Sequence, residues 1–253
     1  MRMNWIPTLY ALPLCLALSA APADEAGKPL SKEELASKLN GVEPNQISES
    51  PVPGIYQVTI GSSVAYVTKD GRYVFQGDIT DASTGNNITE QTRSQARVAM
   101  LDAVDPSTMI VFSPKDGKVK HTVTIFTDVD CGYCRQFHRD IDKVTALGIE
   151  VHYLSFPRTG PNTESWFKAE GVWCSKDRNL ALTKAKLGGD VPQAKCGNTP
   201  VESHYSLGKR IGVRGTPAVF TETGDYIGGY LPPATLAKVL DDPNAVITDE
   251  EIE

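Results

Sequence analysis

The chain has 253 residues, of which 40% are hydrophobic and 22% are charged, and its formal net charge is −6. This composition is ordinary for a soluble globular protein, and the length allows one or two domains. A negative chain lacks the basic surface on which nucleic-acid binding depends, so no nucleic-acid partner is expected.

The N-terminus has the pattern of a secretory signal peptide. Arg2 precedes an apolar segment at residues 9–20, and Ala21-Pro22-Ala23 fits the small-residue rule for cleavage. The apolar segment is too short to span a bilayer comfortably, which argues against a membrane anchor. We therefore predict that residues 1–23 are a signal peptide, that cleavage follows Ala23 and that the mature protein is exported.

The first elements after this leader form a small α+β unit. Ser31 and Glu34 have the spacing of a capping box, which predicts a short helix over residues 29–40. Alternating and β-branched residues predict strands joined by turns, at residues 55–60, 63–68 and 72–76. A unit of roughly 60 residues is marginally stable alone. We therefore expect it to pack against the rest of the chain or against a second copy of itself.

A mostly polar helix is predicted next, over residues 89–104, and Pro106 ends it. Its apolar residues cluster near one end only, and a helix of this kind often connects two domains. A solvated surface helix of a single domain is the alternative.

Strands and helices alternate from Met109 onward, which indicates an α/β arrangement. The predicted strands lie at residues 121–126, 149–155, 217–221 and 225–227. The predicted helices lie at residues 131–145, 164–176, 201–211 and 233–240.

Removal of the leader also removes Cys15 and leaves four cysteines: Cys131, Cys134, Cys174 and Cys196. An even number in an exported chain is typical of disulfides, because such compartments are oxidising. The sequence alone does not fix which of the three possible pairings forms.

Cys131 and Cys134 form a C-G-Y-C motif with three possible uses. A zinc site is disfavoured, because it needs a second close pair of ligands and Cys174 and Cys196 are far apart in the chain. A purely structural bridge would close a very short loop and would stabilise little. Thiol–disulfide exchange fits best, because the motif follows a strand and opens a helix. The helix N-terminus favours a thiolate at Cys131, and Cys134, one turn later, can resolve a mixed disulfide.

A second segment supports the redox interpretation. Thr216 and Pro217 enter a strand in the run GVRGTPAV, which matches the cis-proline loop of thioredoxin-like folds. Pro217 has no N–H, so the Thr216 backbone can face the cysteines and pair with an extended substrate. An X–Pro at a strand start is common by itself, and the combination with C-G-Y-C makes it specific.

Together, the runs FTDVDCGYCRQFH, LGIEVHYLSFPR, VWCSKD, HYSLGKRIGVRGTPAVF and GGYLPP resemble the periplasmic disulfide isomerases of the DsbC family. The resemblance covers the mature chain. It implies an α+β, cystatin-like N-terminal dimerisation domain, a linker helix and an α/β thioredoxin-like catalytic domain with a helical insertion. We place these parts at residues 24–86, 87–106 and 107–253, after the signal peptide at residues 1–23.

The resemblance also implies the chemistry. Cys131 and Cys134 would be catalytic, Gly132 and Tyr133 would tune the pair, and Thr216 and Pro217 would form the adjacent loop. Cys174 and Cys196 would form a structural disulfide. The protein would be a periplasmic homodimer that acts on misfolded, disulfide-containing exported proteins. A membrane thiol reductase of the DsbD type would keep it reduced, with no metal and no organic cofactor.

Three alternative functions remain at this point. A DsbG-type reductase of single oxidised cysteines usually has a proline after its first active cysteine, and Gly132 argues against it. A dimeric chaperone would need no thiolate, and a dedicated oxidase would persist as the disulfide. Two nearby side chains, His138 and Asp128, are expected to be exposed.

Overall fold

The structure is a computed structural model that describes residues 27–191 and 196–251. The predicted signal peptide, residues 1–23, lies outside the described residues. Among the described residues, no helix is long and apolar enough to cross a membrane.

The N-terminal part is one helix packed on a four-stranded antiparallel sheet in the order β1-β2-β3-β4. Its elements are α1 (Lys32–Lys38), β1 (Ile47–Glu49), β2 (Ile55–Ile60), β3 (Ser63–Thr68) and β4 (Val74–Phe75). Ser31 and Glu34 form the predicted capping box at the start of α1. Helix and sheet enclose a small core around Leu35 and Val67. The return strand β4 is shorter than predicted, and β1 was not predicted.

The polar helix α2 (Ile88–Asp102) contacts both halves of the molecule. On the N-terminal side, Tyr66 and Thr89 share a hydrogen bond of 2.6 Å between their hydroxyls. On the other side, the Ser94 hydroxyl donates to the Asp225 carboxylate at 2.6 Å, and the Arg97 guanidinium lies over the ring of Phe220. These contacts favour the bridging interpretation over a solvated surface helix.

The C-terminal part is a five-stranded sheet in the order β5-β7-β6-β8-β9, flanked by helices. The central pair β6 and β7 is parallel, and the other pairs are antiparallel. Its strands are β5 (Ile110–Phe112), β6 (His121–Thr127), β7 (Ile149–Ser155), β8 (Ala218–Thr221) and β9 (Tyr226–Gly228). Its helices are α3 (Gly132–Arg139), α4 (Ile141–Ala146), α5 (Glu164–Trp173), α6 (Arg178–Lys186), α7 (Val201–Ile211) and α8 (Pro233–Asp241).

Strand alternation divides the core of this sheet into two faces. On β6, Ile125 belongs to the cluster that packs under α3 and α5. The next residue, Phe126, belongs to the cluster with Leu207 and Ile211 of α7. Because successive side chains of a strand point to opposite faces, β6 is apolar on both sides. The C-terminal end of β6, from which the chain continues into α3, is therefore held between two packed layers.

The helix predicted over residues 131–145 is two helices. The chain leaves helical geometry at Asp140, which has φ −97° and ψ 11°, and α4 restarts at Ile141. Asp is a poor residue for a helix interior because its side chain competes for nearby backbone and side-chain donors. Here its carboxylate accepts a hydrogen bond from the Lys143 ammonium at 2.7 Å. Helix α6 was not predicted at all.

Candidate active site

The two cysteines of the C-G-Y-C motif occupy the N-terminal turn of α3. Cys131 is the N-cap residue and Cys134 lies one turn later, and both are free thiols buried from solvent. Tyr133 between them is 65% exposed. Strand β6 fixes the start of this helix, so the position of the first cysteine follows from the buried central strand.

The loop predicted to lie beside the cysteines does so. The Thr216–Pro217 peptide bond is cis, and the Cys131 thiol donates a hydrogen bond to the Thr216 carbonyl oxygen at 3.0 Å. The Thr216 hydroxyl is buried and has no hydrogen-bond partner in the part of the chain that the structure describes. The site thus holds a polar group that has no partner while Cys131 is a thiol.

The pKa values of the two thiols are shifted in opposite directions. The pKa of Cys131 is lowered to about 5, first by a hydrogen bond from the Cys134 thiol and further by the Thr216 side chain, the Cys134 backbone N–H and the Arg158 charge, against the opposing effect of burial. The pKa of Cys134 is raised far above its ordinary value, chiefly by burial and then by its hydrogen bond to Cys131. A thiolate is the reactive form of cysteine, so Cys131 can act as a nucleophile at neutral pH while Cys134 stays protonated.

Asp128 is buried close to Cys131, and the prediction that it lies at the surface is wrong. It is 2% exposed. Its carboxylate accepts hydrogen bonds from the Asp130 N–H at 2.9 Å, the Arg158 N–H at 3.0 Å, the Arg158 Nε at 3.1 Å and the Ser165 hydroxyl. Burial acts against the carboxylate, but these hydrogen bonds outweigh it and hold the pKa of Asp128 below its usual value. The result is a fixed Arg158 whose charge favours the Cys131 thiolate.

The carboxylate of Asp130, the residue before Cys131, has a charge that opposes a thiolate at Cys131. Asp130 does not cap the helix, because Cys131 is the N-cap residue. Its carboxylate instead forms ion pairs with Arg135 at 3.0 Å and with Lys168 at 3.1 Å. Two cations therefore offset most of its repulsion.

His138 also differs from expectation, because it is buried on the inner side of α3. Its imidazole hydrogen-bonds the Tyr153 hydroxyl at 3.2 Å and the Thr183 hydroxyl at 2.9 Å. Burial lowers its pKa to about 4, so the ring is neutral at physiological pH. Both ring nitrogens of His138 are thus hydrogen-bonded inside the core, and the bond to Thr183 connects α3 to α6.

Cys174 and Cys196 form a disulfide with a Cα–Cα distance of 5.5 Å. Cys174 is the C-cap residue of α5, and the closed loop carries α6. The bridge therefore fastens the inserted helix that packs against α3. Among the described residues, no three His, Cys, Asp or Glu side chains are grouped in a way that could hold a metal ion.

A reactive N-cap cysteine, a buried partner one turn later and a cis-proline loop against the first are the features of a thiol–disulfide oxidoreductase with a thioredoxin-like fold. Comparison with known proteins narrows this class. Residues 18–90 match the N-terminal domain of disulfide bond isomerase proteins, and residues 110–243 match the thioredoxin-like domain.

Relatives match over nearly the whole chain. The thiol:disulfide interchange protein DsbC of Dickeya dadantii is 36% identical over 236 residues, 92% of this chain and 93% of its own. DsbC of Escherichia coli is 34% identical over 222 residues, 88% of this chain and 89% of its own. A disulfide interchange protein from Neisseria gonorrhoeae superposes with a TM-score of 0.46 at 27% identity, covering 55% of this chain and 96% of that one.

The chain belongs to the DsbC family of thiol:disulfide interchange proteins. This confirms the predicted resemblance, the combination of an N-terminal domain with a thioredoxin-like domain, and the class of enzyme. It also favours the isomerase prediction over the DsbG-type reductase and the chaperone.

Proposed function

We propose that this protein rearranges incorrect disulfides in exported proteins, with Cys131 as the nucleophile and Cys134 as the resolving thiol. The observation that carries the proposal is the asymmetry of the two thiols, one with a pKa of about 5 and the other with a pKa raised by burial. A thiolate at neutral pH can attack a substrate disulfide, and a protonated partner leaves the mixed disulfide time to rearrange.

The reaction begins when the Cys131 thiolate attacks one sulfur of a wrong disulfide. A mixed disulfide forms and a substrate thiolate is released within the same substrate molecule. That thiolate can attack another substrate disulfide, and the thiolate released by this second attack displaces Cys131, which is isomerisation with no net change in oxidation state. Otherwise Cys134 attacks Cys131, and the substrate leaves reduced by two electrons while the enzyme becomes the disulfide.

The exposed edge of the site is where we place the substrate backbone. Tyr133 and Gly132 face solvent, and the Thr216 carbonyl oxygen lies 3.0 Å from the Cys131 sulfur. Pro217 has no N–H to compete for substrate, so an extended chain can pair beside it. We assign these four residues to substrate positioning around the dithiol.

We further infer a homodimer joined through the N-terminal domain. Strand β4 lies at the edge of its sheet, and Tyr73, Val74 and Phe75 on and beside it are exposed. An open, apolar sheet edge is a template for pairing with another chain. Sedimentation of the mature protein at about twice the mass of one chain is the expected result, and a monomer at all concentrations would contradict it.

The domain division at residues 24–86, 87–106 and 107–253 is part of this proposal, and α2 as a bridge between the halves supports it. The leader pattern at residues 1–23 supports export to the periplasm, with cleavage after Ala23. An oxidising periplasm requires an electron source for a reduced enzyme, and we assign this role to a membrane thiol reductase of the DsbD type.

The test is reactivation of a scrambled multi-disulfide protein by the reduced mature protein. We expect recovery with the wild type and none with Cys131→Ser, because the attack needs the thiolate. Cys134→Ser serves as the matched control, since it keeps the nucleophile and should accumulate the mixed disulfide. Equal recovery by wild type and Cys131→Ser would contradict the proposal and would indicate a chaperone.

A further inference from the structure

Lys186, the last residue of α6, lies buried beneath the active helix although it carries a charge. Its side chain is 2% exposed, and its Nζ donates hydrogen bonds to the Thr127 hydroxyl and to the Asp128 carbonyl oxygen, each at 2.7 Å. Lysine is almost never fully buried unless it is paired. Both acceptors are uncharged oxygens, so the ammonium has no carboxylate bonded to it at these contacts. A buried cation of this kind calls for a functional explanation.

The residues that hold Lys186 immediately precede the turn of α3 that carries the two cysteines. The Lys186 charge lowers the pKa of Cys134 more than the Asp128 backbone or the Thr127 side chain does, against the larger opposing effect of burial. The same Asp128 carbonyl oxygen accepts a hydrogen bond from the Cys131 N–H at 3.2 Å, so the ammonium is held directly against the turn that carries both cysteines. The last residue of β6 and the last residue of α6 thus meet beneath the first turn of α3.

The other titratable groups around Lys186 come from the loop before α3, from α3 itself and from β7. Cys131 and Asp128 favour its protonated form, whereas Arg135 on α3 opposes it. On the same helix, His138 is neutral and is itself held neutral partly by the Lys186 charge. From β7, the Tyr153 phenol stays protonated because it is buried near Cys134. Once Cys134 becomes a thiolate, its sulfur is the charge that favours the Lys186 ammonium most strongly.

We propose that Lys186 is a positioning residue for the resolving step, in which its ammonium, held by Thr127 and the Asp128 carbonyl, stabilises the thiolate that Cys134 must become. This inference rests on the proposed order of attack, with Cys131 first and Cys134 second. Lys186 would thus act in the second attack, by Cys134, and not in the first attack, by Cys131.

The chemistry of the step is balanced without another reactant. Cys134 gives up its proton and attacks the Cys131 sulfur of the mixed disulfide. The bond between Cys131 and the substrate sulfur breaks, the Cys131–Cys134 bond forms, and the departing substrate thiolate takes up a proton. The two enzyme thiols are oxidised and the substrate disulfide is reduced. Lys186 keeps its proton throughout and acts through its charge.

The protonation of Lys186 gives the step a recognisable pH dependence. Burial lowers the pKa of Lys186 to about 8, and the charges of Cys134, Asp128 and Cys131 partly oppose this, so the side chain is mostly charged at neutral pH. Its help to Cys134 is present below that pH and is lost as the ammonium deprotonates above it. A purely structural lysine would not produce this dependence.

The experiment separates the two steps with oxidised glutathione as the substrate disulfide. Reduced mature protein is mixed with oxidised glutathione, quenched in acid at timed intervals and analysed by mass spectrometry. Formation of the glutathione adduct reports attack by Cys131, and loss of the adduct reports attack by Cys134. Lys186→Met removes the charge with similar volume, and Lys184→Met on the exposed side of the same helix is the matched control.

We expect Lys186→Met to slow adduct loss about three- to tenfold at pH 7, because an opposite charge nearby shifts a pKa by about 1–3 units and greater nucleophilicity offsets part of the lost thiolate. Adduct formation should stay within about twofold of the wild type. The ratio of wild-type to variant rates should fall toward one as the pH rises from 7 through about 8 to 9. Lys184→Met should match the wild type throughout.

Each other outcome has a definite meaning. Unchanged adduct loss in Lys186→Met, or equal slowing of both steps at every pH, overturns the role of Lys186. If Lys186→Met does not fold, Thr127→Val replaces it, because it removes the hydroxyl that holds the Lys186 ammonium and must slow adduct loss but not adduct formation. If the wild type forms no adduct at Cys131, the proposed function fails, and that failure is visible before any variant is compared.

Discussion

Replacement of Asp128 by asparagine should destabilise the catalytic domain. The Asp128 carboxylate accepts hydrogen bonds from two backbone N–H groups, the Ser165 hydroxyl and the Arg158 guanidinium. An amide of the same shape retains one oxygen and turns an NH₂ group toward donors that have no other acceptor at this position. The substitution therefore changes charge and hydrogen bonding with almost no change in volume.

The size of the stability loss in Asp128→Asn depends on which hydrogen-bond partners of Asp128 remain buried after the substitution. The Arg158 side chain is 46% exposed and can be hydrated again, so the full cost of about 3–5 kcal/mol for breaking a buried ion pair does not apply. The backbone N–H groups and Ser165 cannot turn to water, and hydrogen bonds to a charged group contribute about 1.5–3 kcal/mol each. With one oxygen retained, we expect a loss of about 2–4 kcal/mol, equivalent to roughly 5–15 °C in Tm for a protein of this size.

The pH dependence has a definite sign. The pKa of Asp128 is held below its usual value in the folded protein. A carboxylate of this kind contributes stability above its unfolded pKa of about 3.9, and the contribution is lost as the pH falls through the folded value. The difference between wild type and Asp128→Asn should therefore be full at pH 7 and should shrink below about pH 4.

Urea denaturation followed by tryptophan fluorescence is the suitable assay. Cleavage after Ala23 leaves Trp166 and Trp173, both in the C-terminal half, so the signal reports the catalytic domain alone. Asp142→Asn is the control, because Asp142 forms an exposed ion pair with Lys115 that contributes at most about 1 kcal/mol. A stability for Asp128→Asn within about 0.5 kcal/mol of the wild type at pH 7 would refute the reasoning.

Two further predictions concern the cysteines. Thiolate absorbance at 240 nm of the reduced protein should rise with a midpoint near pH 5, and this transition should be absent in Cys131→Ser. A midpoint above pH 8 in the wild type would contradict the lowered pKa of Cys131. The paired substitution of Cys174 and Cys196 by serine should lower the free energy of unfolding by about 3 kcal/mol, because a bridge that spans 22 positions restricts the unfolded chain. The same variant should still form a mixed disulfide at Cys131, and an unaltered urea midpoint would show that the bridge does not stabilise the fold.

The regular elements could be predicted where local pattern and burial agree. Strands β2, β3 and β7 and helix α7 have the predicted bounds, because alternation or helical periodicity continues to both ends. Strands β1 and β5 have three residues each, too few to show a period. Helix α6 lacks a regular apolar stripe, since two of its three buried residues are Ala185 and Lys186. The formation of α6 therefore depends more on its packing against α3 than on its own sequence pattern.

The residues of the candidate site could likewise be predicted only where their local sequence pattern was specific. Cys131, Cys134 and Pro217 were identified from sequence because their residue types at their spacing have few other uses. Asp128 and Lys186 were missed because a charged residue is read as exposed unless its partners are known. Those partners lie about 30 to 60 positions away in sequence, at Ser165 and Thr127, and only the fold brings them together.

The different surroundings of the two cysteines account for the proposed order of attack. On the side of Cys131, the hydrogen bond from Cys134 and, as a smaller effect, the charge of Arg158 held by Asp128 favour a thiolate that is present before substrate arrives. On the side of Cys134, burial opposes the thiolate and Lys186 only reduces that cost. If both thiols were equally acidic, resolution would follow attack at once and the enzyme would act as a reductase. Because Cys134 is the weaker acid, the mixed disulfide persists long enough for the substrate's own thiol to compete, which is the condition for isomerisation.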